Sequence, residues 1–407
     1  MARIWKFFLG PLRPPHSDSD MTRSISILRS VQPESKSNRR APIEQLLNTK
    51  DMPYPRSGHR IVADDHYVYC IGGYNPDLWT QDQEEGTYYP ILKEMWRYNI
   101  LTKRWKKLPV CDGMPNELAS HAAVLSGHHV IVCGGTGVPF GRSSSNDIHI
   151  CDLKAMTWRR LKVCGRVPQK QYGHAVLING SDLYVVGGTT GYMYNMEVHR
   201  INLDDGNFVW EDLSTAPEPS SRYRHGVAFN ENKIFVLGGG TSEDVCPLNK
   251  IDAFNVFDQK WEVVQCKPDP VHGVPQPRRC HSVVQIDSRT YLTGGYDAER
   301  VFNDVWMLSL DTMQWSKLRS SMVEAAFFHD AAITPSGRMF IFGGVTNIDN
   351  RVRSSQLSTA WLQPPSLQLA ASEYLLAQFP KLQRLSYRRL INAGLPKSVV
   401  DWIKDCE

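Results

Sequence analysis

Histidine and arginine are the residues of this 407-residue chain whose placement could do chemistry. His59, His121, His174, His225 and His281 each lie thirteen residues before a glycine pair, and His329 lies fourteen before another. Imidazole is a common metal ligand and proton carrier, so six copies invite a metal reading. A metal centre, however, needs ligands that converge from different positions. Six histidines in one repeated slot are instead held apart, which predicts a structural role and no metal. The nine cysteines (Cys70, Cys111, Cys133, Cys151, Cys164, Cys246, Cys266, Cys280 and Cys406) are odd in number and scattered, with no CxxC. That spacing fits neither a zinc nor a disulfide framework and predicts reduced thiols. GxSxG, P-loop, HExxH and paired-carboxylate signatures are missing too, so neither catalysis nor a cofactor is expected. A formal charge of +4, evenly spread, gives no nucleic-acid footprint. No apolar run approaches the ~18 residues of a membrane span.

The elements that hold these histidines repeat with them. Gly72-Gly73, Gly134-Gly135, Gly187-Gly188, Gly238-Gly239, Gly294-Gly295 and Gly343-Gly344 each end an apolar run, such as "HVIVCGG" or "MFIFGG". Tryptophans follow at Trp105, Trp158, Trp210, Trp261, Trp315 and, less regularly, Trp361. Three landmarks in register six times, at a period near fifty, mark an internal repeat. They resemble the kelch repeat, over roughly residues 54–363. The resemblance implies an all-β fold, a six-bladed kelch β-propeller of four-stranded blades. The strand-like runs agree: two before each glycine pair, a third such as "EMWRYNI", and a fourth around the tryptophan. Arg56, Arg222 and Arg278 stand three residues before their histidines, and the second, third and sixth units lack this arginine. The expected division is a disordered leader at 1–45, rich in Pro, Ser and charge, the propeller at 46–363, and a helical tail at 364–407.

Antiparallel strands bring the residues just before each histidine and just after each glycine pair to one end of the disc. Read out in chain order, this face carries Ser57 and Tyr74, Ala119 and Thr136, then Tyr172, Thr189, Gly191 and Tyr192. Tyr223, Arg224 and Thr241 follow, then Arg279, Cys280, Tyr296 and Arg300, then Phe327, Phe328 and Val345. Aromatic rings beside arginines make a recognition surface, and a guanidinium fork suits a carboxylate. The first unit also carries an insertion, "NPDLWTQDQEEGTYYPILKE", expected to stand on the same face, as a wall or as a mobile loop.

After "WLQPPS" the pattern turns helical. Leu367, Ala371, Tyr374 and Leu375 recur on one helical face, with Ser366 placed to cap it. A second helix is expected from Ser386 to Gly394. A third, opened by Pro396, presents Val399, Val400, Trp402 and Ile403. "SLQLAASEYL" resembles an elongin-binding BC box, with Ala371 where cysteine is usual. "LPKSV" resembles a cullin-2 box at Leu395, Pro396 and Val399. A kelch propeller followed by both boxes resembles the substrate receptors of cullin-2 RING ubiquitin ligases. That resemblance implies elongin B/C and cullin-2 as partners of the tail. It implies also a propeller face that binds glycine-ended C-termini of substrates destined for ubiquitination and proteasomal degradation, in cytoplasm and nucleus. Arg224, Arg279 and Arg300 would supply the carboxylate donors, with Tyr74, Tyr172, Tyr192, Tyr223, Tyr296, Phe327 and Phe328 around them. A kelch scaffold of the actin-associated or signalling kind, and an enzyme built on a propeller, are the other readings.

Overall fold

The computed structural model describes residues 29–30, 52–78, 90–349 and 351–405. It is a six-bladed β-propeller with three short C-terminal helices. Blade 1 runs through strands Arg60–Ala63, Tyr67–Ile71, Met95–Asn99 and Arg104–Lys107, paired antiparallel in that order. Blades 2 to 5 repeat the meander, beginning at Ala122, Ala175, Gly226 and Ser282. Blade 3 gains a fifth, parallel strand at Cys164–Gly165.

Blade 6 departs from expectation. Its first three strands are Asp330–Ile333, Arg338–Phe342 and Leu357–Trp361, so Trp361 lies on a third strand, not a fourth. The fourth is Arg29–Ser30, antiparallel to Leu357–Trp361. A piece of the segment expected to be a disordered leader is therefore a strand that covers an edge otherwise open to pairing. The rest of residues 1–45 lies outside the described residues, as does most of the first-blade insertion, positions 79–89.

The repeated landmarks turn out to be the joints between blades. A Cβ on the first glycine of each pair would meet the histidine ring of the next blade: Gly72 meets His121, Gly134 meets His174, and Gly343 meets His59 across the closure. Those glycines also hold positive φ, near 60°. Histidine Nε2 bonds the carbonyl just before the glycine pair: His59 to Phe342, His225 to Val186, His281 to Leu237. Burial holds His121, His174, His225 and His281 down at about 3, and His329 at about 4, so the rings are neutral pegs. Each junction has its own apolar core. Trp315 and Trp306 fill the one between blades 4 and 5, and Trp210 the one between blades 2 and 3. The three arginines earn their place differently. Arg56, Arg222 and Arg278 pair with Glu94, Asp252 and Asp304 at the start of each third strand. Leu118, Gln171 and Ala326 fill that slot in the other blades, all buried.

Candidate functional site

The residue before each histidine forms a closed backbone ring around the propeller axis. Ser120 N–H donates to Gly58 O, Gly173 to Ser120, Arg224 to Gly173, Cys280 to Arg224, Phe328 to Cys280, and Gly58 back to Phe328, at 2.7–3.0 Å. All six hold φ between 54° and 65°. Four are not glycine, and the left-handed region costs such residues about 1–2 kcal/mol each. One outcome is that Arg224 and Phe328 are turned toward the axis.

Around this ring the expected face is assembled as the strand geometry requires. Isolated bridges join Ser57 to Tyr74, Ala119 to Thr136, Tyr172 to Thr189, Arg279 to Tyr296 and Phe327 to Val345. In blade 4 the partner of Tyr223 is Gly240, one residue before the expected Thr241.

The arginines differ from one another. Arg224 lies across the axis, donating to Ser120 Oγ on blade 2, with its guanidinium 4.6 Å above the Phe328 ring on blade 6. A Cβ at Gly58 or Gly173 would touch it at 3.4–3.5 Å, so those two ring positions leave room for the side chain. Arg279 donates from Nε to Tyr296 Oη at 3.1 Å and from Nη2 to Ser242 O at 3.2 Å. Both guanidiniums are buried, and Arg224 Nε and Arg279 Nη1 have no hydrogen-bond partner. Among the described residues no carboxylate pairs with either one. Burial lowers the pKa of Arg224, yet a guanidinium stays protonated. Arg300, by contrast, is 61% exposed at the side chain and paired with Asp297. It sits on the rim with its charge already answered, not in the central socket.

The aromatics sort by depth. Phe327 is fully buried, stacked on Tyr296 at 4.3 Å, so it supports the face and does not meet solvent. Tyr223 gathers a trio between blades 3 and 4, edge-on to Tyr172 and tilted against Tyr194. Tyr74 packs edge-on against Phe140. Tyr192 stands 77% exposed on a blade 3 loop that touches Gly141 of the Phe140 loop. Below the ring a cavity of about 130 Å³ contains the Arg60–Asp330 pair, with Ser282 bonded to the same carboxylate. It has room for water, on the order of a few molecules, not for a peptide.

The tail packs on the opposite face. Helix α1 spans Leu367–Gln378, capped by Ser366, α2 spans Tyr387–Asn392, and α3 spans Lys397–Asp405. Leu376, Leu390, Val399, Val400 and Ile403 share a small core with Leu101, from the turn after the third strand of blade 1. Trp402 packs on His66 at 5.8 Å, and Glu373 pairs with Arg338 of blade 6. The tail is thus braced across the blade 6–blade 1 closure. On α1 most of the expected face is free: Leu367 is 90% exposed, Tyr374 66% and Ala371 exposed, while Leu375 is half-buried against the tail core. On α3 the expectation needs correction. Val399, with Val400 and Ile403, points inward, Leu395 is half-buried against the same core, and only Pro396 of the three cullin-box positions is exposed. The apolar face of α3 holds the tail together by packing on Leu376 of α1, Leu390 of α2 and Leu101 of the propeller.

Comparisons with known proteins agree with this architecture. The KLHDC2/KLHL20/DRC7 Kelch-repeats domain matches residues 37–239 and 207–361. The chain belongs to this kelch-repeat family. It is 44% identical over 357 residues to kelch domain-containing protein 10 of Rattus norvegicus, covering 86% of each chain. Against the Homo sapiens protein of that name it is 43% identical over 356 residues, covering 86% of this chain and 80% of the relative. Kelch domain-containing protein 2 of Bos taurus is 26% identical over 353 residues, 77% of this chain and 83% of the relative. Among the described residues of this kelch propeller, no helix is long and apolar enough to cross a membrane.

One residue of the kelch face was missed from sequence. Arg353 bridges Val345, and its Nε donates to Ser57 Oγ at 3.1 Å while the guanidinium lies 5.2 Å over Tyr74. The signal was in the repeat. Ile91, Val245 and Val301 hold the same slot in blades 1, 4 and 5, so an arginine there breaks an aliphatic pattern.

Proposed function

We propose that this chain is the substrate receptor of a cullin-2 RING ubiquitin ligase, a non-catalytic adaptor acting in the cytoplasm and nucleus. Its axis face takes the C-terminal carboxylate of a substrate ending in glycine, and its tail engages elongin B/C and cullin-2. The carrying observation is the pair Arg224 and Arg279: two buried guanidiniums, each with an unsatisfied N–H and no carboxylate partner among the described residues. A buried cation held this way is completed by an incoming anion, and arginine favours the planar carboxylate. The Tyr172–Tyr194–Tyr223 trio and Tyr192 offer ring faces for the residues that precede the terminus. Arg353 gives a third cation beside the socket. The free face of α1 supplies the link to the ligase, and its bracing across blades 1 and 6 fixes the angle between the two faces.

The test is a fluorescence-polarisation titration of glycine-ended peptides on the full chain. Arg279→Ala abolishes binding on this reading, and amidating the peptide C-terminus weakens it at least as strongly. An amidated peptide that binds as well as the free acid refutes the carboxylate socket. Recovery from cells of kelch partners without elongins would favour a scaffold instead.

A further inference from the structure

On the tail-bearing face, one blade along from the tail's anchor, the hairpin turn of blade 2 carries two adjacent histidines. His128 lies in the turn after strand Ala122–Ser126, and His129 opens strand His129–Thr136, at the end remote from the glycine pair. Their rings pack at 4.1 Å between centroids, tilted by 36°. Both Nε2 atoms face one atom, Asp152 Oδ2, at 3.8 and 3.9 Å. The three ligand atoms lie within 4.8 Å of one another.

The carboxylate is already oriented. Asp152 Oδ1 accepts from the Lys154 and Ala155 backbone N–H groups at 2.8 and 3.0 Å, which leaves Oδ2 turned to the imidazoles. Residues 129 and 152 are a register pair of the sheet, so their spacing is fixed by strand pairing rather than by a floppy loop. Support of a ligand carboxylate by outer hydrogen bonds is what a metal site requires.

We propose that His128, His129 and Asp152 form a divalent-metal site for a borderline ion, Zn²⁺, with the fourth position left to water. Two imidazoles and a carboxylate are the donor set of such ions, whereas Mg²⁺ and Ca²⁺ prefer all-oxygen shells. Tetrahedral ligation at about 2.1 Å places ligands about 3.4 Å apart, so each histidine–aspartate separation closes by roughly half an ångström. Both imidazoles are partly exposed and can rotate toward the carboxylate, which stays held. The six buried histidines of the blade joints take no part.

Zinc uptake by the full chain, read by isothermal titration and by a chromophoric chelator in competition, tests this. One Zn²⁺ per chain is expected, with no Mg²⁺ uptake. His129→Gln and Asp152→Asn each weaken it by at least about tenfold, and His128→Gln with His129→Gln removes it. Circular dichroism confirms folding, and His272→Gln, at a distant exposed histidine, leaves uptake unchanged. No stoichiometric uptake by the wild type, or uptake that survives the double variant, overturns the proposal.

Discussion

Leu367 and Leu369 sit two residues apart on α1, yet alanine at each should do different things. Leu369 is 8% exposed and lines, with Ile100, Trp361 and Glu373, a small crevice at the blade 6–blade 1 closure. Truncating it removes a buried isobutyl group and leaves a cavity, a loss of about 2–3 kcal/mol at such a peripheral site. Hydrogen exchange in the tail should then rise, because α1 is one of the elements that closes the small core with Leu101. Leu367 is 90% exposed, so its removal changes folding stability by no more than about 0.5 kcal/mol. If the free face of α1 enters an apolar groove on the elongin pair, Leu367 is buried there, and a fully buried leucine contributes about 1.5–3 kcal/mol. Leu367→Ala therefore weakens elongin B/C binding by about 10- to 150-fold while the melting temperature holds. Calorimetric titration with purified elongin B/C and differential scanning calorimetry read the two quantities separately. Elongin affinity within twofold of wild type would refute the docking of this face, and an unshifted tail in Leu369→Ala would refute its packing role.

Other outcomes follow from the same geometry. Ala371→Cys restores the usual BC-box side chain on the exposed face of α1 and should tighten elongin binding without changing stability. Acid should unfold the propeller early. The six joint histidines have folded pKa values depressed below the unfolded 6.5, so their stabilisation is present above pH 6.5 and is lost as pH falls toward 4 and then 3. Down to pH 4, each of the five that fall to about 3 or 4 costs about 1.4 kcal/mol per pH unit, about 7 together, against a total stability of about 5–15 kcal/mol. Circular dichroism should find the midpoint at about pH 5, and a fold intact at pH 4 would contradict it.

Most of the fold was readable because its joints are made by residue types that leave a periodic trace. The second glycine of each pair packs against the Cβ of its own blade's histidine, while the first makes room for the ring from the next blade, so histidine and glycine pair recur together at a nearly fixed distance. Which loops share a face followed from strand direction alone, and the bridges from Ser57–Tyr74 round to Phe327–Val345 obey it. Blade 6 was misread because its fourth strand comes from the far end of the chain. Strand pairing between Arg29–Ser30 and Leu357–Trp361 leaves no local pattern to find. Within the face, chain position gave which residues gather but not their depth. Phe327 and Phe328 are adjacent, and the left-handed turn at Phe328 sends one under Tyr296 and the other under Arg224. Arg300 looked equivalent to Arg279 until Asp297, three residues away, claimed its charge.

The tail shows why periodicity alone could not choose a face. On α1, Leu369, Ser372 and Leu376 make one stripe, while Leu367, Ala371, Tyr374 and Leu375 make another. A helix apolar on nearly every side is stable in water only when it is covered on more than one side. The propeller closure and the tail core cover the Leu369–Leu376 stripe. In α3 the apolar residues Val399, Val400 and Ile403 form a single stripe, and the fold consumes it entirely. What separates the two helices is thus surplus. Helix α3 has apolar surface enough for its own packing, whereas α1 carries a second stripe of which only Leu375 packs on the tail core, leaving Leu367, Ala371 and Tyr374 exposed. Under the proposed function, that surplus, more than the match of either box, favours α1 as the helix that would meet the partner and α3 as the one that holds it in place.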